Sequence, residues 1–415
     1  VKYICMWIFA LTSLSLKGLS LAEAEELALS RSWDRKKKEL QIRSVLHEGE
    51  SIVHGFLPTV SLSYDKTWPL TPKPRESTSP YWTPGITLAF TPIKNPFLYG
   101  LEKDIQKEKE TMAYMDFQDS KRNILSALRR DYFKTQILKK KETHLLDRLG
   151  LLTSSRRLSQ ERYNRGFAKK EDLERLDLSI EEEELTLVKH RRALTESTRD
   201  LGFDMGVGTV PPLTSDLDWN KIPDLLGQEF ELSPSILKKK RAITAKDLEL
   251  KKLAYNGWPT LSVSAQTRWL ESAGPGSPIQ NASTITAGLS WQIFDRLSHM
   301  DQEQKLRDAK EILRMELAQE EEIIQKKRVT LGLRLKDQYA DLVQQKTMVE
   351  RRGAFLQTTK KRFDSGLIPS DRLLEDSRDH LTQVGFLYDQ ELYLLETVIG
   401  LAGEVGFLFP LIRDH

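Results

Sequence analysis

The sequence holds a single cysteine, Cys5, in 415 residues. Without a second thiol no disulfide can form, and beyond Cys5 no thiolate nucleophile or thiolate metal site can be built. Long apolar runs are missing as well. Ile4 to Leu16, behind Lys2, is mostly apolar but too short to span a bilayer, and it reads as the core of an export signal over residues 1–18. A buried N-terminal element is the alternative. No later stretch approaches the roughly 20 apolar residues of a transmembrane helix, so any membrane-crossing part has to be a β-barrel. Charge of one sign is absent too: 63 basic residues face 60 acidic ones, a net of +3, which gives no reason to expect a nucleic-acid partner.

Signals for chemistry are equally sparse. The histidines, His47, His54, His144, His190, His299, His380 and His415, show no metal-ligand spacing. Carboxylates come in runs such as Glu181 to Glu184 and Glu320 to Glu322, as on solvated helix faces, and no pair stands out as acid and base. Gly202 to Gly208 is glycine-rich, but it follows a helical pattern rather than a strand and lacks the Lys-Ser or Lys-Thr pair of a phosphate loop. The expectation is a protein without catalytic residues, metal or cofactor.

What is present is a chain written twice. Pro58-Thr59-Val60-Ser61-Leu62-Ser63, ending at Trp68, returns as Pro259-Thr260-Leu261-Ser262-Val263-Ser264, ending at Trp269. Arg162-Tyr163-Asn164-Arg165-Gly166-Phe167 returns as Arg362-Phe363-Asp364-Ser365-Gly366-Leu367. Two echoes in one order at nearly one shift point to duplication. The organisation expected is a first repeat over 19–202, a linker over 203–232, a second repeat over 233–403 and a tail over 404–415.

Each repeat opens with a helix, Leu21 to Gly55 and then Ser233 to Asn256, which runs into a Gly-Pro corner. Strands follow over 59–68, 84–93, 260–269 and 284–293, where apolar and small polar residues alternate with the period of two that makes a strand with two unlike faces. Their lengths suit tilted barrel strands with an apolar side toward lipid and a polar side toward water. Four strands parted by 200 residues of helix do not close a soluble sandwich. Helical hairpins are expected over 98–202 and 300–402, with outgoing arms Leu98 to Tyr163 and Met300 to Phe363. At 1.5 Å per residue each arm reaches about 100 Å. Ladders spaced by seven, such as Leu173, Ile180, Leu187, Leu194 and Leu201, predict narrow coiled-coil seams, and Asp131 interrupts the ladder of the first arm. The linker, with Gly206, Gly208, Pro211, Pro212 and Pro223, is expected to pack at the waist of the helical section.

Taken together, Gly55-Phe56-Leu57-Pro58-Thr59, the two turn sequences at Arg162 and Arg362, and Leu201-Gly202 ahead of Pro211-Pro212 resemble the TolC family of outer-membrane efflux and secretion channels. The resemblance runs from Leu19 to Phe407. It implies a mainly helical fold with a transmembrane β part: a homotrimer whose protomers each give two β-hairpins to a twelve-stranded barrel and two coiled-coil hairpins to a periplasmic tunnel. It implies an outer-membrane location in lipid and passive export from an inner-membrane pump or ABC transporter through a periplasmic adaptor. By position, Arg165, Gly166 and Phe167, with Ser365, Gly366 and Leu367, would be adaptor-docking tips; a tight turn alone also accounts for both glycines. The family's periplasmic gate uses acids six and nine positions after the second turn glycine. Those positions are Arg372 and Glu375, flanked by Asp371 and Asp376. A mixed-charge ring, an acidic ring shifted by one residue and ordinary surface charge all fit. A soluble periplasmic coiled-coil scaffold is the rival from another class.

Overall fold

The computed structural model describes residues 18–54, 59–67, 81–93, 96–166, 169–223, 233–256, 258–270, 280–291, 298–365, 367–368, 370–405 and 412–413. The expected export signal lies outside them, save for Gly18. Two compact units are present: one holds residues 1–36, 118–234 and 321–415, the other residues 37–117 and 235–320.

The elements follow the duplicated plan. Helices α1 (Leu21–Arg31) and α2 (Trp33–His54) precede strands β1 (Thr59–Thr67) and β2 (Tyr81–Ile93), and then come α3 (Pro96–Asn164) and α4 (Lys170–Met205). A short strand β3 (Asp216–Leu217) and a 3-10 turn at Trp219–Lys221 occupy the linker. The second copy gives α5 (Pro234–Asn256), β4 (Thr260–Leu270), β5 (Gln280–Ser290), α6 (Ser298–Asp364) and α7 (Ser370–Val405), and β6 (Ile412–Arg413) pairs with β3. Helices α4 and α7 have 36 residues each, and α3 and α6 have 69 and 67.

Three expected boundaries change. The single helix foreseen from Leu21 breaks at Ser32, which turns extended with ψ 123°; its hydroxyl accepts from the Arg35 amide at 3.3 Å and starts a new helix. Strand β2 begins at Tyr81 rather than at residue 84, which puts Pro84 inside the strand instead of at its start. Pairing with β4 starts only at Gly85, so the missing proline N–H costs no ladder bond on that side. Strand β5 runs over 280–290 rather than 284–293, because the ladder from Leu270↔Gln280 to Thr260↔Ser290 ends where Pro259 has no N–H to offer. Trp291 lies just beyond it, and Ile293 lies outside the described residues.

The first unit is held by a core of Leu19, Leu21, Leu128, Tyr132, Phe133, Leu201, Met205, Trp219, Ile222, Leu342 and Leu394 among others. The heptad ladders feed it: Leu187, Leu201, Leu335, Leu342 and Leu395 are all buried. Tyr132 joins three segments. Fully buried, its hydroxyl donates to the Leu19 carbonyl at 2.7 Å and accepts from the Thr214 and Ser215 amides, both at 3.1 Å. Leu19 also pairs with the linker directly, its amide donating to Pro212 O at 2.7 Å and its carbonyl accepting from Thr214 N at 3.1 Å. The Ser215 hydroxyl takes the first free amide of α1, Leu21 N, at 3.0 Å. Further along, Trp219 Nε1 donates to Glu391 of α7 at 3.1 Å, a carboxyl that burial pushes above its ordinary range.

Asp131, the residue that interrupts the first ladder, is buried and takes two bonds from Arg130 at 2.9 and 3.2 Å. Asp204 meets it from the last turn of α4. Burial first, and then the Asp131 carboxylate, raise Asp204 to about 6. The α4 C-terminus, with its negative dipole end, works in the same direction.

In the second unit buried apolar residues are few, among them Ile42, Ile105, Ile236, Ala245 and Leu253. The helices are linked by lateral ion pairs: Lys238–Asp116 at 2.5 Å, Lys252–Glu102 at 2.9 Å and Arg241–Glu108 at 3.2 Å. Such partly exposed pairs contribute little each and set register more than stability.

Two outcomes are expected. Tyr132→Phe leaves the Ser215 amide without its hydroxyl partner and removes one of two bonds from both the Leu19 carbonyl and the Thr214 amide, and it lowers unfolding stability by about 1–3 kcal/mol in a urea titration, without loss of helix signal. Asp204 has a raised folded value, so its favourable contribution is complete below the unfolded carboxylate value and is lost as pH rises through about 6. Asp204→Asn should therefore raise the unfolding free energy above that pH, by about 1 kcal/mol after allowing for solvent screening, with a higher thermal midpoint there, and leave both nearly unchanged in acid.

Candidate functional site

The described residues hold no catalytic constellation. Among them no group of three or more His, Asp or Glu side chains could hold a metal ion, and no described helix is long and apolar enough to cross a membrane. The features that invite partners are the sheet, the two helical turns and the charges behind the second turn.

The sheet has the order β1-β2-β4-β5, antiparallel throughout. Directly opposed residues share a face, so the register sorts the side chains. Val60, Leu62, Ile86, Leu261, Val263, Ala265, Thr267, Ile285, Ala287 and Leu289 fall on one side. Ser61, Ser63, Thr87, Ser262, Ser264, Gln266, Thr284, Thr286, Gly288 and Ser290 fall on the other. The apolar side is not packed against the rest of the chain: Val60, Leu62, Ile285 and Leu289 are between 71% and 80% exposed. On the polar side the hydroxyls look after themselves, with Ser262 Oγ donating to Gly288 O at 3.3 Å, where a β-carbon at Gly288 would crowd it. Strands β1 and β5 each pair on one side only, which leaves two open edges. The irregularity between Phe90 and Ile93 is a bulge, of the kind that bends a strand where a sheet curves.

At the first helical turn the chain leaves α3 through Arg165 and Gly166. Gly166 takes φ +78°, its amide donates to Tyr163 O at 2.9 Å, and no other group comes within 4 Å of where its β-carbon would be. The glycine is thus required by backbone conformation and not by crowding. At the second turn Ser365 N donates to Lys361 O at 3.1 Å and Leu367 N to Arg362 O at 2.9 Å. Arg165, Ser365 and Leu367 are exposed, Leu367 to 74%. Phe167 and Gly366, also expected at the tips, lie outside the described residues.

The four expected gate residues part company. Arg372 and Glu375 are exposed and pair with each other at 2.9 Å. Asp376 is buried, 6% exposed, where it accepts from Thr359 Oγ1 of α6 at 2.8 Å and meets Arg372 at 3.5 Å. It pins α7 to α6 and presents little to solvent. Asp371 belongs to the first turn of α7, and its side chain is not among those described.

Sequence reasoning passes over two histidines that the fold places with care. His144 of α3 rests on Gly385 of α7, and His380 of α7 rests on Gly353 of α6. The one signal for them is that Gly353 and Gly385 are glycines inside long helices, where each costs about 1 kcal/mol relative to alanine and calls for a packing reason.

No protein-family model and no curated protein matches the chain. Solved structures do. Over 93% of its length the chain superposes on CusC, reported for the changes that accompany its folding and transmembrane channel formation, with TM-score 0.77, 13% identity and 91% of that chain covered. The outer membrane channel CmeC of Campylobacter jejuni gives TM-score 0.74 at 13% identity, with 93% of this chain and 85% of that one covered. The MtrE outer membrane channel of Neisseria gonorrhoeae, in its open state, gives 0.75 at 11% identity, with 93% and 88% covered. The fold is therefore the one these outer-membrane channels share, helical arms joined to a small sheet, and it is the fold that the resemblance to the TolC family implied.

Proposed function

We propose that this chain is one protomer of a passive exit duct in the outer membrane of a Gram-negative cell, with its helices forming a tunnel in the periplasm. The observation that carries the proposal is the sorting of the sheet: an exposed apolar face suited to lipid, a hydroxyl-rich face suited to a wet lumen, and two unpaired edges. A bilayer cannot satisfy open edges, so copies must join β5 of one to β1 of the next. That junction is antiparallel, because β1 and β5 run in opposite directions, and it repeats head to tail until the ring closes. Two copies would give eight strands, whose interior side chains fill; three give twelve and leave room for a lumen. The homotrimer is thus favoured.

In this reading the domain plan is functional. Each repeat supplies one strand hairpin and one helical hairpin, and the linker clamps the two repeats together. The tips at Arg165 to Phe167 and Ser365 to Leu367 dock a periplasmic adaptor, which joins the duct to an inner-membrane pump or ABC transporter of a tripartite efflux or type I secretion system. Energy comes from that transporter, and the duct does no covalent chemistry and needs no cofactor. For the gate, the Arg372–Glu375 pair supplies the mixed-charge ring, with Asp371 beside it, while Asp376 anchors α7.

A soluble coiled-coil scaffold is the other reading. It would leave Val60, Leu62, Ile285 and Leu289 in water around two open edges, a surface that aggregates. Fractionation tells the two apart. The duct should be recovered as a heat-modifiable oligomer in outer membranes, and recovery as a soluble monomer after osmotic shock would sink it. Leu289→Arg, on the lipid side, should abolish membrane recovery at a cost of about 2–4 kcal/mol, whereas Thr286→Arg on the lumen side should leave recovery intact and alter ion selectivity. For the gate, Arg372→Ala should shift single-channel selectivity toward cations; unchanged conductance and selectivity would remove its support.

A further inference from the structure

Helix α7 is the inner member of a three-helix contact. Toward α6 it is held by Gln345 Nε2 donating to Gln383 O at 2.8 Å, by Arg352–Asp379 at 2.7 Å and by the buried Thr359–Asp376 bond. Toward α3 it is held by Lys141–Asp389. Between these polar links lie the two imidazoles. A β-carbon on Gly385 would stand 3.5 Å from His144 Nε2, and one on Gly353 would stand 3.4 Å from His380 Cε1, so each ring lies in van der Waals contact with a bare backbone. Among the described helical glycines only these two face an imidazole: Gly100, Gly150, Gly332 and Gly400 have nothing within 4 Å, Gly49 meets Gln106 and Glu110, and Gly202 meets Val207 and Val210.

His144 is 5% exposed, and its Nδ1 side is engaged with the Leu381 backbone while Nε2 has no hydrogen-bond partner. His380 Nδ1 is likewise buried without a partner. A neutral imidazole tolerates such a seat; a cation there has a proton with no acceptor, and at His144, more than at the half-buried His380, a charge with little solvent.

We infer that the two imidazoles latch α7 to α3 and α6 while neutral, and that mild acid releases the helix. The surroundings do not supply the missing counter-charge. Around His144, Arg148 is repulsive, Asp147 is weakly attractive and His380 is repulsive. Glu183 of α4 is committed to Arg148 at 3.2 Å, Asp389 of α7 to Lys141, and Tyr388, at 6.0 Å between ring centroids, is held neutral by burial. Around His380, Asp379 is committed to Arg352, and Asp376 to Thr359 and Arg372. Burial lowers both imidazoles below their ordinary value. The sign follows: their contribution to the seam is whole above the ordinary histidine value and is lost as pH falls through the lower folded values. Asp204 changes in the opposite sense, since acid relieves it, so it cannot mimic the effect.

Backbone amide exchange on the full-length protein tests the latch without relying on the channel reading. After correction for intrinsic rates, protection over residues 376–393 of α7 should fall about tenfold or more between about pH 7.5 and pH 5. In the double variant His144→Gln, His380→Gln the change should stay within about twofold, and His47→Gln, His54→Gln, which alters exposed rings, should behave as the parent. Equal protection of the parent at both pH values, or an undiminished loss in the double variant, overturns the inference. Should the double variant not fold, ring titration of the parent by NMR decides: both rings titrating below the ordinary range, in step with the loss of protection, supports the latch, and titration in the ordinary range overturns it.

Discussion

A sheet of four antiparallel strands with both edges unpaired is not a finished structure. The outward N–H and C=O groups of β1 and β5 need partners, and one side of the sheet is mostly apolar among the described residues, with Val60, Leu62, Ile285 and Leu289 exposed. Water would satisfy the edges but not that side; lipid would satisfy that side but not the edges. In the proposed duct, closure into a ring within a membrane answers both demands, and the alternation of strand direction makes closure with identical copies possible. The rest of the chain answers to this requirement. Helices must lead into and out of each hairpin, and the two hairpins must lie side by side in one sheet although residues 94–259 part them.

Within the first unit, buried polar bonds join segments of both repeats. Tyr132 ties α3 to the segment before α1 and to the linker through one buried hydroxyl, and Trp219 ties the linker to α7 through Glu391. These bonds belong to one copy only. Two hundred positions after Tyr132 stands Gly332, after Asp131 stands Leu331, and after His144 stands Gln344; two hundred before His380 and Gly385 stand Ile180 and Leu185. The copies share a backbone plan and differ in the polar groups they bury. The first carries Tyr132 and its bonds to the linker; of the two histidine contacts, His380–Gly353 lies within the second copy and His144–Gly385 joins α3 of the first to α7 of the second.

Much of this fold is legible in the amino-acid sequence, because its signals are periodic. Alternation in Thr59 to Ser63 and Thr260 to Ser264 locates two strands and sorts their faces, and spacing by seven locates the seams at Leu187, Leu201, Leu335 and Leu342. What escapes depends on partners distant in sequence. The break at Ser32 comes from a single hydroxyl that starts a new helix, and no periodicity marks it. A strand interior at Pro84 is hard to foresee because a proline there is costly, and the cost vanishes only where the neighbouring strand has not begun to pair. Asp376 resembles its exposed neighbours Arg372 and Glu375 in sequence, yet Thr359, seventeen residues away on the other arm, makes it an interior residue. His144 and His380 are ordinary helical residues until the glycines opposite them are known.

The central claim is that sheet edges close between copies to give a ring. Native mass spectrometry of the detergent-extracted protein measures this most directly. A single species at three times the protomer mass, falling to monomer when proline replaces Ser61 and Ser63 of the edge strand β1 and the internal strand β4 is left intact, is the predicted result. A monomer in the parent protein, or a trimer that persists unchanged with the β1 edge blocked, would contradict it.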